Sequence, residues 1–92
     1  MNKKLLIENL ENKNNIILYF NSGGCGPCTQ AKPLVEEIAK SKPNYIFANV
    51  LEGSEYSSEL EKFCNVEFYP TLVIIENNQV NRYVGINEIK TL

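Results

Sequence analysis

Five apolar residues in a row, Ile16-Ile17-Leu18-Tyr19-Phe20, predict a buried β-strand, and after them the hydrophobic pattern changes period. From Thr29 to Lys40 the apolar positions Ala31, Leu34, Val35, Ile38 and Ala39 share one face at helical spacing, while Lys32, Glu36, Glu37 and Lys40 look outward. Pro33 lies inside this helix and is expected to kink it. Lys42-Pro43-Asn44 ends the helix, and Tyr45 to Val50 predicts a second, largely buried strand. Gly53-Ser54 turns the chain into a helix over about Glu55 to Cys64, with Tyr56, Leu60 and Phe63 as its expected inner face and Ser58 with Glu61 as its expected capping box. Thr71 to Glu76 and Gln79 to Val84, joined by the turn pair Asn77-Asn78, predict a hairpin. Upstream, Leu5, Leu6 and Leu10 favour a short helix over Lys3 to Glu11, a strand at Lys3 to Ile7 being the other reading. After Gly85, Ile86 to Leu92 predicts a helical stub.

Helix, strand, helix, strand, helix, strand, strand, helix is the order of an α/β domain. It predicts a four-stranded mixed sheet flanked by helices: a parallel layer with right-handed crossovers, to which the hairpin adds an antiparallel edge. At 92 residues and 43% apolar content, one domain spanning residues 1–92 can build one core. A net charge of −2 from scattered Glu and Lys argues against nucleic acid, because phosphate binding needs a clustered basic stripe. No apolar run approaches the roughly 20 residues that cross a bilayer, so no membrane is expected as a partner. Met1 to Ile7 imitates the start of a signal peptide, but Glu8 interrupts the apolar run and no small-residue cleavage site follows, which points to a cytoplasmic protein.

The chemistry concentrates at Cys25-Gly26-Pro27-Cys28, between the first strand and the following helix. Two thiols so spaced can close into a disulfide and reopen, and with Cys64 they make three cysteines, an odd number unlike a secreted disulfide framework. The competing reading is a metal clip, but three thiols and no histidine leave a fourth ligand missing. An unperturbed thiol with a pKa near ~8.5 is only about 3% ionised at pH 7. Lowering that pKa to ~7 takes roughly 2 kcal/mol, whereas a helix N-terminus supplies about 0.3–1 kcal/mol and about 2 at best, so hydrogen bonds from the first-turn N–H groups and the Cys28 thiol must add to it. Cys64 reads as a small buried apolar group, with oxidation or intermolecular pairing left open.

From Ile16 to Gly85 the chain resembles the thioredoxin family, on three signals in order: Cys25-Gly26-Pro27-Cys28, Pro33 in the next helix, and Tyr69-Pro70-Thr71 opening the third strand. The resemblance implies a thioredoxin fold, shortened at both termini. It implies Cys25 as the exposed attacking thiol and Cys28 as the resolving one. It also implies a substrate-binding rim of Gly24, Gly26, Pro27, Tyr69, Pro70 and Gly85, with Pro70 in the cis form. The implied function is reduction of disulfide-containing protein substrates by a monomer that binds no cofactor beyond its own redox-active disulfide and is re-reduced by a thioredoxin reductase. A thiol oxidase or isomerase, or a binding module of the same fold, are the alternatives. Several positions depart from the family. Gly24, preceded by Gly23, replaces the usual Trp before the first cysteine, so the lip is small. Tyr19 and Asn49 stand where the family places a buried Asp and a Lys, which makes them the candidates for tuning the pKa of Cys28 and leaves its deprotonation to water or to the leaving thiolate.

Overall fold

The computed structural model describes residues 4, 8, 9, 11, 12 and 14–92. Four strands and three helices follow one another as β1 (Ile16–Asn21), α1 (Gly26–Ser41), β2 (Ile46–Leu51), α2 (Ser57–Cys64), β3 (Thr71–Glu76), β4 (Gln79–Val84) and α3 (Gly85–Ile89). In the N-terminal segment Lys4, Glu8, Asn9 and Glu11 are helical, with the Asn12 N–H donating to the Glu8 carbonyl at 2.9 Å. Leu5, Leu6 and Leu10, on which the helix prediction rested, lie outside the described residues.

The strands form one sheet in the order β2-β1-β3-β4. β1 is central, and Ile16 to Phe20 are all buried. Its side chains alternate between two cores: Ile16, Leu18 and Phe20 join Val50, Leu60, Cys64, Val66, Val73 and Ile75 under α2. On the other face Ile17 and Tyr19 meet Leu72, Ile74, Ala31, Val35 and Ile89 under α1 and α3. The result is a helix, sheet, helix sandwich in which every buried side-chain polar atom among the described residues has a hydrogen-bond partner.

β1 pairs with β2 in parallel and with β3 antiparallel, and β3 pairs antiparallel with β4. The hairpin is therefore not an antiparallel edge on a parallel layer; its first strand, β3, lies inside the sheet and runs against β1. Helix length explains the difference. The 16 residues of α1 span about 24 Å, enough to carry the chain back along a strand of about 20 Å, so β2 enters parallel to β1. The eight residues of α2 span only about 12 Å, so the chain enters β3 at the end where β2 left it: Thr71 pairs with Phe20, one position from the Asn21–Leu51 pair.

β2 also departs from the expected burial. Only Val50 in it is buried, and Phe47, Asn49 and Leu51 are exposed, because β2 is the sheet edge and only its inward-facing residues meet the core. In α2 the capping box is absent. Ser58 lies within the helix and the N-cap, Tyr56, makes no side-chain cap. Instead the buried Ser57 hydroxyl donates to the Ser54 carbonyl at 3.1 Å and accepts from the Gly53 N–H at 3.2 Å. The helix starts two residues later than expected, and its buried face is Ser57, Leu60 and Cys64 rather than Tyr56, Leu60 and Phe63, leaving Phe63 56% exposed. Asn65, at φ 55°, ends it in the left-handed conformation. The hairpin turn forms as predicted, Asn77 and Asn78 both taking positive φ.

Candidate active site

Cys25 caps the N-terminus of α1 from an extended backbone, φ −99° and ψ 106°, and Pro27 supplies the preset φ of a first-turn residue. The helix starts at Gly26 rather than at Thr29 because these two residues, poor helix formers in an interior, are well placed in a first turn. A disulfide joins Cys25 to Cys28, with their Cα atoms 5.2 Å apart. The Cys25 Sγ accepts the Cys28 N–H at 3.1 Å. No acidic residue occupies the first turn of α1, so the positive end of the helix dipole is not neutralised beside that sulfur. Cys25 is partly exposed and Cys28 is buried, a consequence of one helical turn inward from the cap.

The same end of the sheet gathers the other predicted residues. The Phe20–Thr71 and Thr71–Val84 pairs set Pro70 and Gly85, each adjoining one of these strand ends, beside the end of β1 from which Ser22 to Gly24 lead to Cys25. The Tyr69–Pro70 peptide is cis, and Gly85, at φ 81°, donates its N–H to the Pro70 carbonyl at 2.8 Å. Tyr69 is partly buried, its hydroxyl donating to the Glu61 carboxylate at 2.6 Å; burial, then this bond and the nearby Glu52 charge, push its pKa well above the usual phenol range. Gly23 and Gly24 are exposed, and a Cβ on either would meet no atom within 4 Å, so the lip has room for a side chain that the sequence does not provide. Gly26 and Pro27 are exposed at the helix tip.

Tyr19 is buried on the α1 face of the sheet, and its hydroxyl donates to the Cys28 backbone carbonyl at 2.8 Å rather than to the sulfur. Burial raises its pKa. Asn49, beside Tyr19 in the β1–β2 register, accepts from the Asn21 side chain at 2.7 Å. Asn21 is a member of this cluster that the sequence did not single out; its place at the end of β1, two residues beyond Tyr19, was the available signal. Among the described residues no group of three His, Cys, Asp or Glu is placed to hold a metal, and no helix is long and apolar enough to cross a membrane.

Cys64 is buried against the opposite face of the sheet, and the Arg82 guanidinium donates to its carbonyl at 3.1 Å. Burial pushes its thiol pKa from 9.0 up to about 11, against a smaller opposing pull from Arg82. The folded protein thus holds the Cys64 proton more tightly than the unfolded chain does. The associated stability is complete below pH 9 and is lost as pH rises toward 11, an amount on the order of 2–3 kcal/mol. Thermal melts of the oxidised protein at stepped pH should show a falling midpoint across that window, and Cys64→Ala should flatten the fall.

The sequence model of the thioredoxin family matches residues 2–92. The chain belongs to the thioredoxin family. It is 29% identical over 97 residues to a thioredoxin of Mycoplasmoides gallisepticum, a match covering 99% of this chain and 93% of that protein. It is 34% identical over 77 residues to thioredoxin H-type 1 of Nicotiana tabacum, covering 83% of this chain and 60% of that longer protein. Among solved structures, Fasciola hepatica thioredoxin superposes with a TM-score of 0.70 at 31% identity, over 95% of this chain and 84% of that one. Trypanosoma brucei brucei thioredoxin shares the fold with a TM-score of 0.76 at 23% identity, over 98% of this chain and 79% of that one. Membership of the thioredoxin family and the close Cys25–Cys28 pair support a thiol–disulfide oxidoreductase.

Proposed function

We propose that this thioredoxin-family protein reduces disulfides in protein substrates and is returned to its dithiol form by a thioredoxin reductase. Cys25 attacks a substrate disulfide as a thiolate, forming a mixed disulfide and releasing one substrate thiol. Cys28 then attacks Cys25, forming the intramolecular disulfide and releasing the second substrate thiol. The reductase supplies the two electrons that reopen it.

The observation that carries this reading is the placement of the Cys25 sulfur at the cap of α1, where it accepts the Cys28 N–H with no carboxylate in the first turn. On reduction the same donor and the same helix end favour the Cys25 thiolate over the thiol. Gly24, Gly26, Pro27, Tyr69, Pro70 and Gly85 form the rim that an extended substrate meets, its backbone pairing beside Pro70, which has no N–H of its own. Tyr19 fixes the depth of Cys28 through the carbonyl hydrogen bond, and Asn49 acts behind it through Asn21. The protein acts as a cytoplasmic monomer without a bound cofactor.

The test is insulin disulfide reduction coupled to NADPH through a thioredoxin reductase, alongside a redox titration of the Cys25/Cys28 couple. Turnover with a reducing potential is expected. No turnover with any reductase, together with an oxidising potential, would turn the assignment toward an oxidase. Activity that survives replacement of both cysteines would make the protein a binding module.

A further inference from the structure

The segment from Asn65 to Pro70 leads from α2 to β3 without helix or strand. Backbone ties hold it at both ends. The Val66 N–H donates to the Glu61 carbonyl at 2.8 Å, the Thr71 hydroxyl donates to the Phe68 carbonyl at 2.7 Å, and the Gly85 N–H holds the Pro70 carbonyl. Tyr69 stands between these ties. Among the described residues neither its N–H nor its carbonyl has a backbone partner. What fixes Tyr69 is its side chain: the ring packs against the core under α2, and the hydroxyl donates to the Glu61 carboxylate at 2.6 Å. Glu61 therefore grips the connection twice, by its carbonyl at Val66 and by its carboxylate at Tyr69. An O–H donor on a carboxylate at this length is a charge-assisted bond, roughly twice as strong as a neutral one. Glu52, whose N–H donates to the Asn21 carbonyl at the end of β1, brings a second carboxylate near the same hydroxyl.

We infer that Glu61 is a positioning residue for substrate binding, which acts through the Tyr69 hydroxyl to hold the Tyr69 main chain in place for an extended substrate. The inference rests on the reading of protein disulfides as the substrate. An unpaired N–H and C=O attract a partner strand most strongly when they are already fixed as it arrives, because ordering a loop on binding weakens the complex. With its hydroxyl bonded, the Tyr69 side chain cannot swing toward the substrate without giving up both the bond and its packing. The rim then offers the Tyr69 backbone rather than its ring. Glu61 gives and takes no proton in the exchange. The backbone pairing it supports is made when substrate binds and persists while the sulfurs react, so its loss raises KM and leaves the limiting rate alone.

The test follows NADPH oxidation at varied insulin concentration, with thioredoxin reductase in excess, and compares it with reduction of dithiobis-nitrobenzoate, a disulfide that has no peptide backbone to pair. Glu61→Ala should raise KM for insulin about tenfold, the scale of one lost charge-assisted hydrogen bond. The limiting rate with insulin and the reaction with dithiobis-nitrobenzoate should both stay within about twofold. Glu61→Gln removes the charge but keeps an oxygen that accepts from Tyr69, so it should bring KM back to within about threefold. Tyr69→Phe, which removes the donor, should raise KM as Glu61→Ala does, and the double variant should be no worse than either alone. An insulin KM for Glu61→Ala equal to that of the unaltered protein overturns the inference and leaves the reductase reading intact. Equal losses with both disulfides, or a Glu61→Gln variant as impaired as Glu61→Ala, also overturn it, since the bond would then serve only the fold or the charge. Failure of the unaltered protein to reduce insulin with any reductase removes the reductase reading and this inference together.

Discussion

Cys25→Ser is expected to abolish disulfide reduction, by at least about four orders of magnitude, because a serine hydroxyl at neutral pH is a far weaker nucleophile than a thiolate. Cys28→Ser is expected to fail differently. It keeps the first exchange, since the Cys25 sulfur retains its cap position, the Cys28 N–H donor and the end of α1. It then stops at the mixed disulfide, which has no second thiol within reach: Cys64 is buried on the opposite face of the sheet. Mass spectrometry of the Cys28→Ser protein after one addition of substrate should find one substrate chain per protein, cleaved by added dithiothreitol. A Cys25→Ser protein that forms the same adduct would reverse the two roles.

Phe20→Ala should produce the largest loss of stability of any single truncation in the core. Phe20 is fully buried at the end of the central strand, between β2 and β3 and beneath α2. Removing its ring takes away both the transfer free energy and the packing around the void, together about 3–5 kcal/mol. A domain of this size has a total stability of roughly 5–15 kcal/mol, and each kcal/mol moves its melting midpoint by about 4–8 °C, so the variant should melt on the order of 15–30 °C lower. Phe68→Ala, at a residue that is 64% exposed, should change stability by about 0.5 kcal/mol or less. Urea titrations of the oxidised proteins compare the two, and equal losses would mean that burial does not govern stability here.

Much of this architecture was legible in the chain. The apolar run at Ile16 to Phe20 has no polar residue to place at a surface, so it had to become the strand with neighbours on both sides. Asn77-Asn78 marked its hairpin because asparagine tolerates the positive φ that both positions adopt. What was not legible depended on lengths and partners rather than on local pattern. The direction of β3 followed from α2 being too short to retrace a strand. The exposure of Phe47 and Leu51 followed from the edge position of β2, and that of Phe63 from the sheet meeting the Ser57, Leu60 and Cys64 side of α2.

The candidate site divides along the same line. Cys25, Pro27 and Cys28 could be named from their own motif, whereas Tyr69, Pro70 and Gly85 could be named only through the resemblance to the family, because they reach the site from distant parts of the chain. Lys32 and Glu36 read as part of a solvated face, and they are indeed exposed; only the register of β2 against β1 reveals that their stripe borders a pocket that reaches Cys28.

Consecutive residues of β1 belong to opposite cores, and this limits how the protein can come apart. Loosening α1 would disturb Ile17 and Tyr19, and through one peptide unit on either side would disturb Leu18 and Phe20 beneath α2. The two helical layers thus behave as a single foldon, whose amide protons along β1 exchange with solvent only when the whole domain opens. The moving parts of the redox cycle are correspondingly confined to the helix tip and the loops at one end of the sheet.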